Sequence, residues 1–146
     1  MTNRLSTFLW YDHDLDEVLD YYRRIFDLEV REVNRNETGA AFTASATLYG
    51  QELVLMNAPG GQPFSQAISL ALSLESQAEV DRVWDALTED GKELNCGWCE
   101  DAFGVAWQVT PAAMQEWLGN PDAEVRAYAW QQLMNMKKIV LDDLHR

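Results

Sequence analysis

Few side chains in this chain are of the types that do chemistry, and their spacing narrows what that chemistry is. Cys96-Gly97-Trp98-Cys99 has the spacing of a redox pair. Such a pair reacts when it opens a helix, whose N–H dipoles lower a thiol pKa. Here Glu100, Asp101 and then a strand follow, so the neighbouring charge raises it. The motif reads as two structural thiols, packed as small hydrophobes. The two histidines, His13 and His145, are too distant to complete a zinc set with two cysteines. Asp12, His13, Asp14, Asp16 and Glu17 concentrate negative charge. They suit a cation site or a general base on one reading. The plainer reading places carboxylates at a helix N-terminus, with His13 a solvated turn residue. Gly60-Gly61 lies between Pro59 and Pro63 and lacks the Lys and Ser or Thr of a phosphate loop, so it reads as a connector.

One further polar group stands out. Asp101 to Thr110 reads as a turn followed by a strand rich in β-formers and closed by Pro111. Gln108 sits between Trp107 and Val109, and alternation points it to the opposite face. A lone amide opposite an apolar pair suggests a strand that lines a cavity on one side and packs under a helix on the other.

Elements must position these groups. A first strand is expected over Leu5–Tyr11, with Asp14 capping a helix from about Leu15 to Phe26. Leu15, Val18, Leu19, Tyr22, Ile25 and Phe26 recur at helical spacing. Strands follow at Leu28–Asn34, Ala41–Tyr49 and Gln51–Asn57. The pattern restarts with a strand at Gln66–Leu74, where Ile68, Leu70, Leu72 and Leu74 share a face. A helix is expected over Gln77–Asp90, with Val80, Val83, Trp84 and Leu87 inward. Short strands are expected near Glu93–Cys96 and Val105–Thr110. Pro111 should start a helix near Ala112–Leu118, and a second runs from about Ala123 to Lys137, before a short segment at Ile139–Leu144.

The restart is an internal repeat. Glu17-Val18 matches Glu79-Val80, Tyr22 matches Trp84 and Ile25 matches Leu87, all at an offset of 62. The same offset puts Thr7 on Ser69, Leu9 on Ala71 and Tyr11 on Ser73. The expected fold is α+β. Two βαβββ modules (about 1–58 and 66–111) form a curved mixed sheet around a cavity, and C-terminal helices (about 112–146) complete a single domain. The cavity face is expected to carry Thr7, Leu9, Tyr11, Leu55, Asn57, Ser69, Ala71, Ser73, Ala106 and Gln108, with Trp98 as a further lining residue. Trp10, Trp84 and Trp107 are expected in the helix-to-sheet core.

Composition excludes some partners. A net charge of −13 disfavours nucleic acid and anionic membrane surfaces. No apolar run approaches transmembrane length. Met1 to Trp10 lacks a signal-peptide layout, and two cysteines suit a reducing cytoplasm.

Several stretches together resemble the vicinal oxygen chelate superfamily, which includes glyoxalase I, bleomycin-resistance proteins and extradiol dioxygenases. They are Phe8-Leu9-Trp10-Tyr11-Asp12, Tyr21-Tyr22-Arg23-Arg24-Ile25-Phe26, Ala67-Ile68-Ser69-Leu70, Cys96-Gly97-Trp98, Asp101 to Gln108, and Met136-Lys137-Lys138-Ile139. Within it the chain is most similar to the PhnB-like branch, often labelled 3-demethylubiquinone 3-methyltransferase. The resemblance implies paired βαβββ modules and a homodimer. It also implies His, His and Glu metal ligands at the positions of Thr7, Ser69 and Gln108. Hydroxyls and an amide are poor ligands for zinc or iron, so no metal and no other cofactor is expected. No strand leads into a glycine-rich turn and helix to cradle a nucleoside cofactor.

The catalytic residues are left open, since no nucleophile–base pair and no paired carboxylates fall on the cavity face. Two function classes follow. One is a metal-independent binder of a small, uncharged or aromatic organic molecule. The other is a metal-dependent lyase, isomerase or dioxygenase. A pure dimerisation module is a third.

Overall fold

The computed structural model describes residues 4–146; Met1, Thr2 and Asn3, at the start of the first expected module, lie outside the described residues. The chain divides into two units, residues 1–63 and 64–146. Each unit holds one βαβββ module and closes its own four-stranded mixed sheet.

The first unit contains β1 (Thr7–Tyr11), α1 (Leu15–Ile25), β2 (Glu29–Arg35), β3 (Ala41–Leu48) and β4 (Gln51–Asn57), with sheet order β1-β4-β3-β2. β1 runs parallel to β4, and the other pairs are antiparallel. Asp14 caps α1 by accepting from the Asp16 N–H at 3.1 Å. This satisfies a donor the helix cannot use internally. Leu15, Val18, Leu19, Tyr22 and Ile25 form the buried face, as their spacing predicts. Tyr49 and Gly50, both at positive φ, make the two-residue hairpin between β3 and β4. Paired left-handed residues match strand twist there.

The second unit repeats the plan with β5 (Leu70–Leu74), α2 (Gln77–Glu89), β6 (Lys92–Glu93), β7 (Trp98–Glu100) and β8 (Ala106–Pro111), in sheet order β5-β8-β7-β6. Ser76 caps α2 through the Glu79 N–H. α3 (Gln115–Leu118) and α4 (Ala123–Met134) follow, with short 3-10 turns at Ala112–Met114 and Leu141–Asp143. Several expected boundaries shift. The strand expected from Gln66 begins only at Leu70, and Ile68 is 76% exposed rather than facing the core. Pro111 ends β8 and, as expected, leads into a helical run over Ala112–Leu118, whose first turn is 3-10. The strand expected at Glu93–Cys96 shrinks to Lys92–Glu93, because Asn95 to Trp98 form a hairpin turn closed by the Trp98 N–H on the Asn95 carbonyl.

That turn holds the C-terminal segment. Cys96 and Gly97 both have positive φ, which turns their N–H groups outward. They donate to the carbonyls of Met136 (2.8 Å) and Lys137 (2.7 Å). α4 therefore ends at Met134, earlier than expected, and the chain leaves the helix to pair with the turn. A Cβ on Gly97 would lie 2.6 Å from Ile139 Cδ1, so glycine is needed for contact as well as for conformation. Gln77 clamps the same segment from α2. Its amide N–H donates to the Ile139 carbonyl and its oxygen accepts from the Leu141 N–H. Around Ile139, a second core gathers Leu118, Ala129, Leu133 and Leu144.

Asp101 is the one buried charged residue among the described residues. Its carboxylate accepts from the N–H groups of Phe103 (2.9 Å) and Val105 (3.1 Å) and from the Trp107 indole (2.9 Å). It thus sets both the turn into β8 and the face on which β8 places Trp107. Asp101→Ala should lower unfolding free energy by about 3 kcal/mol, because three donors lose a charged acceptor. Urea denaturation would measure this, and a loss below about 1 kcal/mol would show that the turn holds without it.

Candidate functional site

In the second unit, alternation and one hydrogen bond assemble a polar-aromatic patch. Leu72, Leu74, Trp107, Val109 and Cys99 are buried on the side of α2. The opposite face of the sheet carries Ser69, Ala71, Ser73, Trp98, Ala106, Gln108 and Thr110. Ala71 and Trp98 flank Gln108 in register from either side. Gln108 Nε2 donates to Ser69 Oγ at 3.0 Å, which orients the amide. Among the described residues its carbonyl oxygen accepts from no protein group, so it is available to a ligand donor. Thr110 donates to the Leu72 carbonyl. Ser69, Ala71, Trp98 and Gln108 thus share one face.

The first unit departs from expectation. Tyr11 is fully buried, and its hydroxyl meets that of Tyr22 on α1 at 2.8 Å. Tyr11 and, by alternation, Leu9 and Thr7 therefore face the helix. Leu55 and Asn57 pair with Leu9 and Tyr11 and fall on the same side. All five were expected on the cavity face, and the structure places them on the opposite one. The open face instead carries Phe8, Trp10, Thr43, Ser45, Thr47, Glu52, Val54 and Met56, with Arg31 reaching Thr47 and Glu52. Trp10, expected in the core, is half-buried on this face and donates to the Ala58 carbonyl at 3.0 Å.

The cause is a single residue. Tyr11 corresponds to Leu74, an offset of 63, whereas Leu15 corresponds to Gln77, an offset of 62. The strand-to-helix junction is Asp12-His13-Asp14 in the first unit and Glu75-Ser76 in the second. Carrying the helix offset into the strand slips its register by one, which exchanges its faces. Val54, not Leu55, then occupies the place that Gln108 holds in β8. The paired offset of two buried anchors, Tyr11 and Leu74, was the available signal.

The other candidates resolve into structure. Asp14 is a helix cap, and Asp16 forms a two-pronged ion pair with Arg35 at 2.8 and 3.0 Å. That pairing lowers the Asp16 pKa, chiefly through the hydrogen bond. The Gly60-Gly61 connector packs beside Trp10 and Asp12. Cys99 is buried, and burial first, then Asp101, Glu100 and Glu93, push its thiol up to about 12. Cys96 is half-exposed, with its thiol on Met134 Sδ at 3.8 Å. The raised Cys99 pKa favours the protonated thiol in the fold. Its contribution to stability is thus fully present below the ordinary value of 9.0 and is lost as pH rises toward about 12. Native protein should label at Cys96 only with a maleimide, and unfolding midpoints should fall above that ordinary value less in Cys99→Ala than in the parent. Equal labelling of both thiols would contradict this.

The faces themselves are testable in the first unit. Leu9→Ala should cost about 3 kcal/mol, as buried leucine truncations do. Phe8→Ala, at a side chain 57% exposed, should cost less than about 1 kcal/mol. Chemical denaturation of the two variants decides it, and the reverse order would restore the expected parity.

The metal ligands implied by resemblance do not fit. Thr7 faces the helix, which leaves the Ser69 hydroxyl and the Gln108 amide, neither a strong ligand. Among the described residues, no three His, Cys, Asp or Glu side chains gather as a metal set. Nor do the described strand-to-helix junctions form a glycine-rich turn: Asp12-His13-Asp14 and Glu75-Ser76 lack glycine and carry acid, and β8 passes through Pro111 directly into Ala112. No helix among the described residues is long and apolar enough to cross a membrane.

The family model described as 3-demethylubiquinone-9 3-methyltransferase matches residues 3–110. No curated protein matches the chain. The PhnB protein of Bacillus cereus, provisionally described as a 3-demethylubiquinone-9 3-methyltransferase, superposes with a TM-score of 0.69 at 29% identity, covering 75% of this chain and all of that one. Protein PA1353 of Pseudomonas aeruginosa gives 0.63 at 18% identity, over 75% and 98% of the two chains. The fosfomycin resistance protein FosX of Listeria monocytogenes, in a complex with Mn(II) and sulfate, gives 0.57 at 15% identity, over 82% and 98%. The last two likenesses bear on fold alone.

Proposed function

The chain belongs to the PhnB-like, 3-demethylubiquinone-9 3-methyltransferase family within the glyoxalase and bleomycin-resistance fold, and from that premise we propose that it is a metal-independent binder of a small organic molecule. The single observation that carries this reading is the patch around Gln108. Ser69 holds the amide so that its carbonyl oxygen stays available, and Trp98 supplies an aromatic surface in register beside it. Such a patch suits a neutral aromatic ligand that donates an N–H or O–H to Gln108.

The family's name suggests methyl transfer, but the described strand-to-helix junctions lack the glycine-rich turn that cradles a nucleoside cofactor. The alternative is a metal-dependent lyase, isomerase or dioxygenase, favoured by the likeness in fold to the Mn(II)-bound FosX. The donor set argues against it. Elemental analysis and native mass spectrometry of the purified protein separate the two. The expected result is no stoichiometric divalent metal and a retained or captured organic ligand. One equivalent of metal surviving dialysis would overturn the proposal.

With a ligand in hand, Gln108→Ala should weaken binding about fivefold, the worth of one neutral hydrogen bond. Trp98→Ala should weaken it by a similar or larger factor through lost ring contact. Calorimetry on both variants checks this, and unchanged affinity in both would place the site elsewhere.

We also propose that the chain works as a homodimer. Phe8 and Phe42 in the first unit, and Ile68, Trp130 and Met134 in the second, are large apolar side chains left exposed, and covering such side chains favours association. Light scattering at micromolar protein should report two copies; a monomer would refute it.

A further inference from the structure

The helices beyond residue 110, outside the span matched by the family model, build a cavity of their own. Its volume is about 550 Å³, and Trp117, Glu124, Val125, Tyr128, Gln131, His145 and Arg146 are among its lining. That size falls in the range of small-molecule pockets. α4 explains why the cavity exists. Its Ala129 and Leu133 enter the core around Ile139, while Ala127 and Tyr128 look to a different side and line the cavity, with Val125 at the border between the two. A helix apolar on more than one side needs more than one thing to cover it.

The walls combine aromatic rings with the polar side chains Glu124, Gln131, His145 and Arg146. The His145 imidazole stacks on the Trp117 indole, with centroids 4.2 Å apart and planes 22° from parallel. The Arg146 guanidinium lies 4.5 Å from the centre of the Tyr128 ring. In a chain with 24 acidic and 11 basic residues, a cation is expected to find a carboxylate. Yet among the described residues Arg146 makes no ion pair. A planar guanidinium held against one ring keeps its N–H fork in the plane free to pair with a carboxylate. Glu124, also on the lining, would repel a second negative charge on the same ligand. A cationic ligand would instead have to displace Arg146 from the Tyr128 face.

We propose that this cavity is a second binding site, for a flat aromatic monocarboxylate. The ring lies against the aromatic walls and the carboxylate pairs with Arg146. The site is built from elements other than the sheet face around Gln108 and stands or falls separately from it.

Titration of the full-length, isotope-labelled protein with 2-naphthoate, 2-naphthylmethylammonium and cyclohexanecarboxylate tests this by nuclear magnetic resonance. The naphthoate should give saturable shifts at the Trp117 indole N–H and the Gln131 side-chain amide, and the other two probes should bind more weakly. Arg146→Ala should weaken naphthoate about tenfold or more, as loss of a charge-assisted hydrogen bond does. Arg146→Lys should recover part of that, since it keeps the charge without the fork. The melting temperature of both variants should match the parent, because Arg146 is exposed. Three outcomes would each overturn the proposal: no saturable shift at these groups, ammonium binding as tight as carboxylate, or unchanged naphthoate affinity in Arg146→Ala.

Discussion

Each sheet in this protein is covered by a helix on one side, and one buried polar contact per unit decides which side chains go there. In the first unit it is the meeting of the Tyr11 and Tyr22 hydroxyls. In the second it is the Asp101 carboxylate under the Trp107 indole. A buried hydroxyl or indole N–H without a partner is costly, so these pairings hold their strands to one parity. Every other residue of β1 and β8 follows from that, including the exposure of Phe8 and the outward aim of Gln108. The open faces are thus a consequence of how the buried faces are satisfied.

The same economy joins the C-terminal segment to the sheet and helix of the second module. Cys96 and Gly97 adopt left-handed backbone in a tight turn, and the N–H groups so exposed are taken up by Met136 and Lys137. Gln77 treats residues 139 and 141 as a neighbouring strand would, with one donor and one acceptor. Asp81 accepts from the Gln77 amide at 2.9 Å and pairs with Lys138 at 3.0 Å; the Gln77 hydrogen bond first, and then Lys138, lower the Asp81 pKa. The cysteine motif serves this join. Cys96 supplies a turn position and Cys99 a buried apolar volume, which is a reason for two thiols to lie close in sequence without redox chemistry.

Much of the fold was legible in the residues. Alternation in Leu70-Ala71-Leu72-Ser73-Leu74 separates a wet face from a dry one, and β5 has the expected parity. The helical spacing of α1 and α2 and the Asp14 cap were equally plain. In Phe8-Leu9-Trp10-Tyr11 both faces are apolar, so no polarity pattern marks the buried one. The repeat offset was the only guide left, and it is one residue different in strand and helix. Thr7, Leu9, Tyr11, Leu55 and Asn57 fall on the helix-covered face for that reason.

The sequence by itself determined the module plan, the helix faces, the acidic character and the lack of metal-binding side chains at the matching positions. Those properties depend on residue type and on periods within one element. Tertiary structure alone decided which face of β1 is dry, that Asp101 is buried and bonded three times, and that α4 stops at Met134. It also decided that Trp117, Tyr128, His145 and Arg146 wall one cavity. These depend on contacts between residues far apart in the chain, or on a one-residue difference between two junctions, where local preference is nearly silent and burial of the whole decides.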